Sequence, residues 1–105
     1  MTPPAPVLID FESRSRADLG VVGGRKYWEH PSSEALVVVW YDTADGTVGA
    51  WYPGQAWPHC GRVLAAHNAH GFDRFAAERY DFGAAGWIDT SQLARKAGLP
   101  GALDA

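Results

Sequence analysis

Two carboxylates stand one residue apart in Val7-Leu8-Ile9-Asp10-Phe11-Glu12-Ser13. In an extended strand alternate side chains share a face. Val7, Ile9 and Phe11 then point one way, and Leu8, Asp10 and Glu12 the other. The two acids lie roughly 6.6–6.8 Å apart along the strand. Like charges at that spacing, flanked by apolar residues, repel each other and are costly to strip of water. A divalent cation relieves both effects. Mg²⁺ takes oxygen ligands and commonly needs only one or two protein carboxylates, with water or phosphate completing its shell. The plainer reading of the same pattern is an edge strand with its acids in water.

Basic and aromatic groups follow directly. Arg14 and Arg16 sit just past the carboxylates, and Arg25 and Lys26 come after Gly23-Gly24. These are four of the nine Lys and Arg residues, gathered near the end of the acidic strand. They can contact phosphates beside a metal site, or simply line a solvated loop. Tyr27, Trp28 and His30 can stack on bases, or cover the core beneath that loop. The whole stretch reads as a long loop, closed by Pro31-Ser32-Ser33.

The remaining elements must position these groups. Residues 35–41, Ala-Leu-Val-Val-Val-Trp-Tyr, form a nearly continuous β-branched and aromatic run, the pattern of a buried strand. Ala44-Asp45-Gly46 supplies turn chemistry, and residues 47–52 return as the second arm of an antiparallel hairpin. Residues 53–58 are a loop anchored by Trp57. A short strand over 62–66 ends at His67-Asn68. Phe72, Phe75, Ala76, Arg79 and Tyr80 have helical spacing, so a helix begins near 71–73 and breaks at Gly83 and Gly86. Trp87-Ile88 is a short strand. Asp89-Thr90-Ser91-Gln92 has the form of a capping box, and its helix runs through Leu93 and Lys96 to Gly98. Residues 99–101 form a turn and 102–105 start a further helix. The order predicts an α/β fold, a mixed sheet with helices against it.

At 105 residues, residues 7–105 make one domain with a modest core, and residues 1–6 a proline-rich extended lead. Five Trp argue for a packed globule. The one cysteine, Cys60, allows no intrachain disulfide and points to a reduced thiol in the cytosol. The N-terminus lacks the pattern of a signal peptide, and no run has membrane-spanning length. A net charge of −3 argues against gripping nucleic acid by bulk electrostatics. It leaves room for an enzyme whose acids hold metal and whose few bases line a groove.

LIDFESRS, AHNAHGFDRF and WIDTSQLAR, in that order, resemble the first two motifs and the following strand–helix of DEDD-type (DnaQ-like) 3′–5′ exonucleases. The likeness is nearest to proofreading domains of phage-type family A DNA polymerases and covers nearly all of the chain after Pro6. The resemblance implies a ribonuclease H-like fold. In it the Asp10 strand is central, with the 36–41 strand antiparallel on one side and the 63–66 strand parallel on the other. Helices would pack on the sheet through Phe72, Phe75, Leu93 and Ala94. It also implies Asp10, Glu12 and Asp73 as catalytic metal ligands for Mg²⁺ or Mn²⁺. Two ions about 3.5–4 Å apart would clamp the attacking and leaving oxygens of a phosphodiester. Asp10 would bridge them, Glu12 would hold the one that activates water, and Asp73 the other. Phe11, Asn68, Arg14 and Phe72 would bind substrate, the 3′ end of single-stranded DNA. The setting implied is the cytoplasm of a bacterial or phage-infected cell, with a polymerase domain as partner in a longer chain.

Two departures from the family pattern matter. Asn68 and Asp73 are one residue further apart than is usual, because of His70-Gly71; a helix that starts late would still let Asp73 face the site. The third motif, with its fourth carboxylate and water-orienting Tyr or His, is missing, and Asp104 has no such neighbour. The chain therefore reads as an incomplete exonuclease-like domain, weak or inactive alone, with His67 or His70 as substitute bases. Asp89 reads as a helix cap, not a ligand. Two other functions stay open. One is a non-catalytic nucleic-acid-binding or structural remnant, with a homodimer covering the edge left by missing helices. The other is an RNA-directed exonuclease.

Overall fold

Strand β1 (Val7–Arg14) alternates as its sequence dictates: Val7, Ile9 and Phe11 are buried, while Leu8, Asp10 and Glu12 are exposed. It is the middle strand of five. The sheet order is β3 (Val48–Trp51), β2 (Glu34–Asp42), β1, β4 (Val63–Ala66), β5 (Gly86–Asp89). β2 pairs with β1 antiparallel and β4 pairs with it parallel, as expected. The sheet carries one β-bulge against β1. Glu12 faces Val37 and Ser13 faces Ala35, so the extra residue is Leu36 on β2. The alternation of β1 is therefore unbroken, and Asp10, Glu12 and Arg14 share one face. The computed structural model describes residues 5–98; the turn at 99–101, the helix start at 102–105 and Asp104 lie outside the described residues.

The inner face of the sheet meets an aromatic core. Phe82 is fully buried at its centre, stacked on Trp57 (centroids 4.0 Å apart, planes within 2°) and on Phe11 (5.6 Å), with Trp51 edge-on at 4.9 Å. Such pairs add roughly 0.5–1.5 kcal/mol each beyond the area they bury. Trp57 is thus the anchor of its loop. Arg62 fastens the start of β4 to the end of β2. Its guanidinium donates to both Asp42 carboxylate oxygens (2.9 Å each) and to the Ala5 carbonyl (3.0 Å). The paired charge holds the Asp42 carboxyl down at about 2.

Three expectations need correction. The stretch after β1 is not a loop: Leu19–Glu29 is a helix, α1, capped by Asp18, whose side chain accepts from the Gly20 N–H (3.0 Å). It bends at Gly23, where φ is +78° and a side chain would be strained. Tyr27 and Trp28 on α1 are buried in the core, and so are not bases' stacking partners. β2 is not buried on both faces, because Val39 and Tyr41 point away from the core and are half exposed; no described element covers them. Helix α3 (Thr90–Lys96) does not pack through Leu93, which is 53% exposed; its buried residue is Ser91. Helix α2 (Arg74–Arg79) buries Ala76 and Ala77; the expected Phe75 packs partly buried against the same core, as does Phe72 from the turn before the helix. Among the described residues no helix is long and apolar enough to cross a membrane.

One backbone contact ties α1 to the segment before α2. A Cβ on Gly24 would lie 1.7 Å from the Gly71 carbonyl oxygen. Neither group can swing aside as a flexible side chain would. Gly24→Ala should therefore lower stability in urea denaturation by at least the roughly 1–3 kcal/mol of an overpacked core site. Gly86→Ala is the control. A Cβ there meets nothing nearer than Val63 Cγ2 at 4.0 Å, and its effect should stay within about 1 kcal/mol of zero.

Candidate functional site

Strand β4 delivers the chain to His67 and Asn68, and the next turn is wider than an α-helix. Residues Ala69–Asp73 form a π-helical turn leading into α2. The Asp73 N–H reaches the Asn68 carbonyl five residues back (3.4 Å), and the Arg74 N–H reaches that of Ala69. A ring closed over five residues takes up one residue more than an α-helical ring. At Gly71 a Cβ would come within 2.6 Å of Asn68 Oδ1, so any larger residue there would displace the Asn68 side chain. Asp89 holds the turn from the other side. Its carboxylate accepts from the His70 N–H (3.0 Å) while capping α3 through the Ser91 N–H (3.0 Å) and hydroxyl (2.6 Å). The cap expected at Asp89 is present, and it also braces the π-turn.

The result is a cavity of about 310 Å³ beside the middle of β1. Asp10 and Phe11 come from β1, His67 and Asn68 from the end of β4, Phe72 and Asp73 from the π-turn, and Leu19 from α1. Asp73 is 6% exposed. Burial pushes its carboxyl up to about 7, the nearby Asp10 charge and then Asp89 push the same way, and backbone N–H donors oppose them. A buried acid facing another acid is the arrangement that a cation would relieve.

The sequence-expected site residues separate into two groups. Asp10, Asn68, Phe72 and Asp73 meet at the cavity. Phe11 contributes to its wall, but its ring lies in the core against Phe82 and Trp28, 6% exposed, so it is not offered to a substrate. Glu12 is exposed on the Asp10 face of β1 and does not line the cavity. Arg14 is further along the same face, paired with Glu34. Of the two histidines, His67 lines the cavity and its Nδ1 lies 3.1 Å from Thr90 Oγ1. His70 is exposed and does not line it. Leu19 was hidden from sequence reasoning because its segment read as a loop. Among the described residues, no three His, Cys, Asp or Glu side chains are placed to hold one ion together. Asp10 and Asp73 are, among the described residues, the carboxylates that line the cavity. Comparison with protein-family models, curated proteins and solved structures finds no match to this chain.

The raised Asp73 value makes a pH prediction. Between its ordinary 3.8 and about 7 the folded chain keeps a proton that the unfolded chain has released. The stability linked to this proton is fully present below about pH 4 and is lost as the pH rises through about 7. Asp73→Asn, which cannot ionise, should be more stable than the wild type at about pH 8, by on the order of a few kcal/mol. That advantage should shrink steadily toward about pH 4.5 in urea denaturation curves. A constant difference across the range would show that Asp73 ionises normally.

Proposed function

We propose that the chain is a metal-dependent nuclease domain of the DnaQ-like, ribonuclease H-like kind, acting at 3′ ends of single-stranded DNA. The observation that carries this reading is the convergence of Asp10 and Asp73 on one cavity with Asn68 and Phe72 beside them. An antiparallel hairpin on one side of β1 and parallel strands on the other support the architecture. The π-turn also offers a physical reason why one extra residue between Asn68 and Asp73 is tolerated, since Asp73 still faces the cavity.

The donors suit Mg²⁺ or Mn²⁺. Asp10 and Asp73 would hold the ion with carboxylate oxygens, leaving positions for water and a substrate phosphate. A bound ion would supply positive charge at a phosphoryl oxygen and acidity to a coordinated water. The chain's own residues do the rest. Asp73, whose carboxyl is raised by burial and the nearby Asp10 charge, would be held ionised by a cation in the cavity, its proton passing to solvent. Asn68 presents an amide, both donor and acceptor, to the terminal sugar. Phe72, half-buried against Tyr27 and Trp28, sets a firm wall for the terminal nucleotide. Glu12, about 6.7 Å from Asp10 along the strand, is the next carboxylate on that face. A second reading, a fold that binds nucleic acid without turnover, is favoured by the lack of a third ligand in the cavity among the described residues.

Two measurements separate these readings. Mg²⁺ or Mn²⁺ should raise the melting temperature by binding the folded state preferentially, and Asp10→Asn should abolish the rise. With a 5′-labelled single-stranded oligonucleotide, the chain should shorten DNA slowly and only with the cation. A well-placed general base contributes about 10²–10⁴-fold, and no described residue is identified in that role. Asp10→Asn and Glu12→Gln should both remove the cleavage. A melting response without cleavage supports binding alone. Cleavage that survives both substitutions, or no response to the cation at all, removes the nuclease reading.

A further inference from the structure

Beyond the cavity, β1 ends in a second feature. Arg14, Ser15 and Arg16 face Ser32 and Glu34 across a groove of about 420 Å³. Serine hydroxyls hold its two sides together. The Arg16 N–H donates to Ser32 Oγ (2.8 Å), and Ser15 Oγ accepts from the Ala17 N–H (3.0 Å) while lying 2.5 Å from Ser33 Oγ. Ser32 is held in turn by His30 Nδ1 at 2.8 Å. The loop is therefore pinned, and its two arginines start from a fixed backbone.

The charges in the groove are not locked. Among the described residues Arg16 forms no ion pair. Arg14 is paired with Glu34, but the two side chains are 71% and 45% exposed. Exposed pairs of this kind contribute little, so another anion can displace the carboxylate. Guanidinium forks and hydroxyls suit phosphate oxygens. Arg14 also shares the β1 face that carries Asp10, four residues or roughly 13 Å away along the strand.

We propose that the groove of Arg14, Ser15, Arg16, Ser32 and Glu34 is a phosphate site for the backbone of a single-stranded nucleic acid whose end lies at Asp10 and Asp73. This rests on the nuclease reading. Glu34 occupies Arg14 in the free protein and gives way to the phosphodiester.

The test is fluorescence anisotropy with a 5′-labelled oligodeoxythymidylate in EDTA, where neither cation nor cleavage contributes. Arg16→Ala should weaken binding roughly tenfold and reduce the slope of log affinity against log salt by about 1. Its melting temperature should stay that of the wild type, because the side chain is exposed. Glu34→Gln should tighten binding by releasing Arg14. Unchanged affinity and slope in Arg16→Ala, weaker binding in Glu34→Gln, or no binding by the wild type would each overturn the proposal. If the wild type still shortens the oligonucleotide with Mg²⁺ while Arg16→Ala binds normally, only the groove assignment fails. If Arg16→Ala binds weakly but no protein cleaves, only the nuclease reading fails.

Discussion

The backbone of Gly24 lies against the carbonyl of Gly71, and nothing larger than hydrogen fits between them. This contact seats α1 on the π-turn. It places Tyr27 and Trp28 against Phe72. The turn beneath it is tight in a second place, where Gly71 passes Asn68. Asp89 completes the clamp from the far side by accepting the His70 N–H. With its backbone held from both sides, the turn keeps Asp73 buried and close enough to Asp10 for their charges to interact. Two small residues far apart in sequence thus determine where a carboxylate is held.

Burying that carboxylate is unfavourable by itself. Desolvation and the Asp10 charge both disfavour its ionised form, and the protein has no described cation beside it to offset them. Perturbed acids in cavities mark functional sites more often than chance, because structure alone has little use for them. Asp42 shows the contrast. It is also buried, but Arg62 neutralises it with two hydrogen bonds and holds its carboxyl low. One acid is paired with an arginine; the other faces a cavity with no cation beside it among the described residues.

Much of this was legible in the sequence. The alternation of Val7 to Glu12 placed Asp10 and Glu12 on one exposed face, and the hairpin followed from patterning and turn chemistry, whereas the central place of β1 in the sheet was expected from the family resemblance alone. The Asp89 cap was readable from residue types alone. The helix α1 was not. Gly20, Gly23 and Gly24 lower its propensity, and the bend at Gly23 breaks its period. Its stability comes from burying Tyr27 and Trp28, a tertiary effect. Leu93 misled for the opposite reason. It had helical spacing, but the face it lies on meets no described partner. For the site, the membership of Asp10, Asn68, Phe72 and Asp73 was anticipated, whereas the burial of Asp73 and the exclusion of Glu12 from the cavity were not. The burial of Asp73 depends on the π-turn and on the packing of α1 against it, which no local pattern encodes.

The central claim is that Asp10 and Asp73 form one cation site. Mn²⁺ is paramagnetic and broadens nuclear resonances steeply with proximity, so its position can be read directly from the amide spectrum. Substoichiometric Mn²⁺ added to the isotope-labelled chain should broaden the amides around Asp10 and those of residues 67–73 first, and excess Mg²⁺ should restore them. Broadening centred elsewhere, at Asp42 and Asp45 for example, or spread evenly over the surface acids, would contradict it.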